Sequence, residues 1–224
     1  MQYSTVIVSG GYLDEHLTLS ILSNENTHRI IGVDRGIHFL YDHKITPSIL
    51  LGDMDSVDAS IIDIYRKEQD IPILTFNPVK DATDTEIALR YAIEQGWNDI
   101  VILGATGKRH DHLLGNIQSL MLALNAGIHA CILDPYNRIR LFRSGFRLQR
   151  DELWGTHFSL FSLGDEVKNL NLTGAKYPLA EHTVSRDDSL CVSNEIGDGC
   201  EEIEITWDSG VLIFMESGDE AMIM

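Results

Sequence analysis

Residues 100–127 read IVILGATGKRHDHLLGNIQSLMLALNAG, and three regimes follow one another within them. Ile100–Leu103 is a short apolar run, the pattern of a strand buried on both faces. Gly104–Asp111 is polar and glycine-bearing, a turn. Leu113, Leu114, Ile117, Leu120, Met121 and Leu124 then recur at helical spacing, and Gly127 is a natural stop. Strand, glycine loop and helix in sequence make the unit of a parallel α/β fold.

The unit recurs on either side. Thr5–Val8, Ile30–Val33, Ile49–Leu51, Ile71–Thr75 and Ala130–Leu133 are further apolar runs without clear alternation. A second helical stripe, Ile87, Ala88, Tyr91 and Ala92, stops at Gly96. The alternation predicts a doubly wound, mostly parallel sheet. Past Pro135 the pattern changes. Arg138–Phe142, His157–Leu163, Val167–Leu172, Ser189–Ser193, Glu202–Trp207 and Val211–Glu216 read as short strands. Turn signals such as Ser144-Gly145, Gly164-Asp165 and Gly197-Asp198-Gly199 separate them. This predicts an antiparallel β-sandwich. The boundary is expected near residues 134–137, giving an α/β domain over 1–135 and a β-sandwich over 136–224.

The 224 residues are 44% hydrophobic and 23% charged, an ordinary globular balance. A net charge of −17 disfavours partners with phosphate backbones or anionic membrane surfaces, so neither nucleic acid nor membrane is expected. Cys131, Cys191 and Cys200 form no CxxC pair and are expected as free thiols of a reducing compartment. The N-terminus lacks a signal-peptide pattern and no run approaches membrane-spanning length. The expected location is the cytoplasm.

In open parallel sheets, ligands bind outside the carboxyl ends of the strands. The residues there are Ser9-Gly10-Gly11, Asp34-Arg35-Gly36, Gly52-Asp53-Met54-Asp55-Ser56 and Gly104–Arg109. Glycines, carboxylates and a few cations are the inventory of a phosphate and divalent-metal site. On an extended chain Asp53 and Asp55 would face one point, and paired carboxylates suit Mg²⁺; a solvated turn is the equal alternative. Lys80–Glu86 opens a helix, with Thr83 and Glu86 in capping-box spacing and Asp84 in the first turn. That helix start would also offer N–H groups to phosphate.

Gly104–Asp111 fails the Walker spacing, yet Lys108 and Arg109 can neutralise phosphates, and Asp111 is expected to cap a helix beginning near His112. His110 and His112 lack a third ligand nearby and read as solvated or locally bonded rather than as a zinc site. Trp97, Trp154 and Trp207 read as packing residues. No GxSxG elbow or papain-like cysteine signature supports acyl chemistry.

These motifs, in this order, resemble the thiamin pyrophosphokinase (thiamin diphosphokinase) family in its bacterial form. They are Gly52–Ser56, Lys80–Glu86, Gly104–His112, Gly174-Ala175-Lys176-Tyr177-Pro178-Leu179 and Val192-Ser193-Asn194-Glu195. Each is weak alone, and the ordered set is specific. Met54 stands where the family often has an aromatic residue, and Lys108 where many members have glycine.

The resemblance implies transfer of a diphosphoryl group from ATP to the thiamin hydroxyl, releasing AMP, by a homodimer with shared active sites. Asp53, Asp55 and Asp84 would hold Mg²⁺. Arg109 and Lys108 would offset phosphate charge. Asp111 would orient the thiamin hydroxyl or complete the metal shell. The nucleotide is expected on Asp34, Lys80, Thr83, Gly104, Thr106, Gly107 and Lys108, and thiamin on Ser193 and Asn194. The rival readings are another diphosphokinase on the same scaffold, with a pterin substrate for example, and a non-catalytic thiamin or nucleotide sensor.

Overall fold

Among the described residues, six short parallel strands and five helices realise the N-terminal alternation. In the computed structural model, which describes residues 3–67, 70–75 and 82–222, they follow one another as β1 (Thr5–Val8), α1 (Glu15–Leu22), β2 (Arg29–Val33), α2 (Gly36–Asp42), β3 (Ile49–Gly52), α3 (Ala59–Lys67), β4 (Ile73–Thr75), α4 (Asp84–Glu94), β5 (Ile100–Leu103), α5 (His110–Asn125) and β6 (Ala130–Leu133). The chain divides into two units, with the boundary in the sequence between Asp134 and Pro135.

The N-terminal sheet has the order β4-β3-β2-β1-β5-β6, parallel where its pairings run from Leu50 beside Ile73 to Ile102 beside Ile132. Every residue of β1, β3 and β5 is buried, so both faces are covered, which is why these runs do not alternate. Each fully buried Ile or Leu there contributes about 1.5–3 kcal/mol relative to exposure. Helices α2 and α3 seat Ile37, Ile61, Ile62 and Tyr65 around Leu50, and α4 packs across β1, β2 and β3. Successive strands step outward from β1 to β4, after which the chain returns to place β5 on the other side of β1. The strand order therefore reverses between β1 and β5, the position where such sheets open a crevice.

The C-terminal unit comprises β7 (Asn137–Phe142), β8 (Phe146–Gln149), β9 (His157–Ser162), β10 (Glu166–Thr173), β11 (Leu179–Ser185), β12 (Glu202–Thr206) and β13 (Leu212–Ser217). Antiparallel strands β7-β13-β9 and β11-β10-β12-β8 share one core, built from Phe158, Leu160 and Phe214 on one side and Val167, Leu170, Val184, Ile203 and Ile205 on the other. The expected sandwich is present.

Three details depart from the sequence expectations. Ser189–Ser193 is a turn, not a strand. Asp188 accepts the Leu190 N–H (2.7 Å), the Val192 N–H returns to Ser189, and Ser193 is left-handed at φ 57°. Two strands, β8 and β11, were not anticipated. Strand β11 buries only Val184, so its sequence lacks an apolar alternation. Helix α5 begins at His110, not near His112; the Leu113 N–H already bonds the Arg109 carbonyl. The tryptophans pack as expected: Trp154 is buried, Trp97 meets Tyr91 edge-on, and Trp207 meets Phe146. No helix of the described residues is long and apolar enough to cross a membrane. Cys131, Cys191 and Cys200 form no disulfide, and burial pushes the Cys191 thiol up to about 11.

Candidate active site at the carboxyl ends of the parallel strands

The loops leaving β1, β2, β3 and β5 lie against one another with almost no side chain between them. A Cβ on Gly36 would sit 2.1 Å from the Val8 carbonyl oxygen, and one on Gly11 would sit 2.4 Å from those of both Gly104 and Thr106. No other residue fits there, so the glycines set how closely the strand ends converge. Backbone bonds complete the seam. Ser9 N–H donates to Leu103 O (2.8 Å), Gly11 N–H to Gly104 O (2.8 Å) and Tyr12 N–H to Thr106 O (3.0 Å). Gly104 and Gly107 are left-handed at φ 68° and 141°.

Carboxylates gather at this seam. Asp34, itself left-handed at φ 48°, follows β2. Asp84 opens α4, whose N-cap is Thr83, its hydroxyl accepting the Glu86 N–H at 3.2 Å. The Glu86 carboxylate turns instead to Arg90 (2.7 Å). A buried bond between the Ser9 and Thr85 hydroxyls (2.6 Å) fastens the start of α4 to the end of β1. As a result the Asp34 and Asp84 carboxylates close on Gly52 at the end of β3, each with an Oδ1 within 4 Å of where its Cβ would stand (3.5 and 3.7 Å). The sequence brought Gly52 forward only as part of a motif; its service as a side-chain-free floor between two carboxylates appears only in the fold.

Asp53 and Asp55 are arranged differently from the extended-chain expectation. Met54 is left-handed at φ 63°, the chain turns there, and Asp53 Oδ1 accepts the Asp55 N–H at 3.1 Å. The i, i+2 rule fails because it assumes strand geometry. Among the described residues no group of three or more His, Cys, Asp or Glu stands close enough together to hold a metal ion by itself. Mg²⁺ is ordinarily held by one or two carboxylates together with substrate phosphates. A donor set of aspartate oxygens around a glycine floor fits that chemistry. Lys80 lies outside the described residues.

On the β5 side, Thr106 is half-buried and Lys108 exposed. Arg109 occupies the N-cap position of α5 without capping it through its side chain. It forks onto Asp111, with Nε 3.2 Å from Oδ1, and both side chains are well exposed, at 70% and 63%. Asp111 therefore sits in the first turn rather than at the cap, where Oδ1 also accepts the His112 N–H (3.0 Å). The Arg109 fork holds the Asp111 carboxyl down to about 2. Sequence reasoning missed Asn116. Its buried amide donates to Ala105 O at 2.9 Å and steadies the glycine loop from below. A polar residue inside the apolar stripe of α5 was the available signal.

In the C-terminal unit, Asn194 is 5% exposed and its amide clamps the Tyr177 backbone: Nδ2 donates to Tyr177 O (2.8 Å), and Oδ1 accepts the Tyr177 N–H (3.1 Å). Ser193 is exposed, its N–H bonded to Ser159 Oγ (3.0 Å). Lys176 pairs with Glu195 (2.8 Å) beside it and lowers that carboxyl.

Comparison with known proteins matches each unit separately. Residues 22–132 match the family model "Thiamin pyrophosphokinase, catalytic domain" and residues 145–212 the model "Thiamin pyrophosphokinase, vitamin B1 binding domain". A thiamine pyrophosphokinase of Bacillus subtilis (strain 168) is 34% identical over 211 residues, covering 93% of this chain and 91% of that protein. The crystal structure of a thiamin pyrophosphokinase from Geobacillus thermodenitrificans superposes with a TM-score of 0.81 at 31% identity, covering 96% of this chain and 97% of that one. The yeast thiamin pyrophosphokinase, at 16% identity and a TM-score of 0.76, covering 96% of this chain and 86% of its own, shares the fold.

Proposed function

The chain belongs to the thiamin pyrophosphokinase family and is an ATP-dependent thiamin diphosphokinase; from that premise we propose how its own residues do the work. The reaction joins the thiamin hydroxyl oxygen to the β-phosphorus of ATP, breaks the bond from that phosphorus to the α,β-bridging oxygen, and releases AMP and a proton. Such transfers need positioning and charge neutralisation more than covalent chemistry.

The observation that carries the placement of the metal and phosphate site is the closure of Asp34 and Asp84 on the bare Gly52 surface, and Asp53 and Asp55 are added because they follow Gly52 directly in the chain. We assign Asp53, Asp55 and Asp84 to Mg²⁺ and Asp34 to the nucleotide. Bound there, Mg²⁺ supplies charge neutralisation on the phosphate oxygens. We assign Gly104, Thr106, Gly107 and Lys108 to the nucleotide, with Thr83 at the start of α4; Lys80 is assigned to it by its place in the Lys80–Glu86 motif alone. Arg109 offers its planar fork to the transferred group, giving up Asp111 as it does so, and Asp111 is then placed to orient the thiamin hydroxyl. Domain roles follow the same division: residues 1–135 carry catalysis and 136–224 bind thiamin. Ser193 and Asn194 serve thiamin, Asn194 through the Tyr177 loop that it holds.

The working form we propose is a cytoplasmic homodimer in which the thiamin residues come from the second copy. Mixing an Asp53→Asn chain with an Asn194→Ala chain under subunit exchange should restore activity; no recovery despite proven exchange would show that each chain works alone. The reaction itself is tested with the purified chain, thiamin, ATP and Mg²⁺. Thiamin diphosphate and AMP in equal amounts are expected. ADP as the nucleotide product would overturn diphosphoryl transfer, and preference for a pterin would revive the rival scaffold reading.

A further inference from the structure

Tyr12 has no part in the assignments above, yet it stands at the reversal of strand order between β1 and β5. The residue is 53% exposed. Exposed tyrosines are common and need no explanation by themselves. This one differs in its mounting. Three successive backbone bonds, from Ser9, Gly11 and Tyr12 to Leu103, Gly104 and Thr106, lock its segment to the β5 loop, and the Leu13 side chain packs where a Gly104 Cβ would go (3.0 Å). Asp14 then caps α1 through the Leu17 N–H at 2.9 Å, which fixes the far side. Gly107 presents no side chain to Tyr12: a Cβ there would lie 3.3 Å from the Tyr12 nitrogen. Among the exposed large hydrophobic residues described in the N-terminal unit, namely Tyr12, Leu74 and Leu114, it alone is aromatic.

An aromatic ring held out on rigid backbone beside a glycine loop is pre-organised for a flat partner. Ligand sites in such folds combine polar groups for phosphates with an apolar or aromatic surface for the rest of the molecule. The aspartates and cations around Gly52 and Lys108 provide the first; the described N-terminal unit offers Tyr12 for the second. We propose that Tyr12 stacks on the purine base of the nucleotide and sets the preference for a base-bearing triphosphate. The proposal rests on the reading of residues 104–108 as the nucleotide loop and adds to it the place of the base.

Inhibition by AMP, which has a base, and by inorganic tripolyphosphate, which has none, separates the two ideas. Tyr12→Ala should raise the ATP KM and the AMP inhibition constant between about five-fold and a hundred-fold, the range for loss of one base–aromatic stack. Tripolyphosphate inhibition and the thiamin KM should stay as in the wild type, and Tyr12→Phe should restore AMP binding because the ring is kept. Unchanged AMP inhibition in Tyr12→Ala overturns the proposal, as does a rise in the thiamin KM in its place. Lys108→Ala tests the underlying reading. If it weakens tripolyphosphate while Tyr12→Ala leaves AMP untouched, the loop assignment stands and the stacking role alone fails. If Lys108→Ala changes neither inhibitor and Tyr12→Ala leaves AMP untouched, the loop assignment and the Tyr12 role fail together.

Discussion

Two arginine–carboxylate forks show opposite uses of one chemistry. At the strand ends, Arg109 and Asp111 pair in the open. In the C-terminal unit, Arg138 forks onto Glu216 with both side chains sealed from solvent, at 4% and 0% exposure. Glu216 also accepts the Trp154 N–H (3.2 Å), and Arg138 donates to Glu152 O (2.7 Å). Arg140 adds charge from 3.0 Å, while its guanidinium lies over Phe142 and Phe214 at 5.3 and 5.5 Å. The Arg138–Glu216 fork is bonded and closed off inside the core, and Arg140 beside it keeps Nε and Nη2 buried without a hydrogen-bond partner among the described residues, held by charge and ring contacts instead. The exposed fork gains little from folding and can exchange its partner for a phosphate. Burial, not residue type, separates structural charge from chemical charge here.

The largest effect that would break this contrast is expected at Asp84. Asp84→Asn should lower kcat roughly a thousandfold or more, about 4 kcal/mol in the transition state, with the urea midpoint unchanged. Asp53→Asn and Asp55→Asn should act in the same direction. Wild-type turnover at saturating Mg²⁺ in all three would remove them from the metal.

Glu216→Gln should do the reverse. Leaving Arg138 buried without its counter-charge is expected to cost about 3 kcal/mol of folding stability, read from urea unfolding, while kcat per folded molecule holds. A stable Glu216→Gln chain with impaired turnover would place the buried cluster in the chemistry and erase the distinction.

Arg109→Lys keeps the charge and loses the fork. A surface pair tolerates that change, whereas a phosphate clamp does not. We expect kcat to fall roughly ten- to a hundredfold, with thermal stability unaltered. Full kcat would make Arg109 a surface residue and pass its role to Lys108 or Lys80.

The smallest effect is a titration. Because Arg109 holds Asp111 down to about 2, below its unfolded value, the pair favours the folded state above that unfolded value. The contribution is lost as pH falls from the unfolded pKa through the folded one. Carboxyl NMR should find Asp111 ionised at pH 3 in the wild type and returning toward the ordinary aspartate range in Arg109→Ala. An unmoved Asp111 would mean that the fork does not persist in solution.

The lines of the sequence were enough for much of this architecture. Thr5–Val8, Ile100–Leu103 and Ala130–Leu133 appear as strands over those residues, and Gly96 and Gly127 follow α4 and α5 at φ 71° and 70°. These features rest on local physics: burial on both faces removes alternation, and only glycine takes left-handed φ without strain. Thr83 as N-cap is local in the same sense. The ordered motifs likewise carried the family.

What the sequence could not contain is distance. Asp34, Gly52 and Asp84 are far apart in the chain and meet because the order β4-β3-β2-β1-β5-β6 sets their loops side by side and the Ser9–Thr85 bond draws α4 onto β1. The same long-range pairing mounts Tyr12 on the β5 loop. Ser189–Ser193 shows the converse, an apolar-looking segment that turns because Asp188 and Ser189 capture its N–H groups before any neighbouring strand can. Periodicity and φ preference act over a few residues, so the sequence determines the elements. Which loop ends meet depends on strand order and crossover, which cost chain entropy over tens of residues and are decided only by the assembled core.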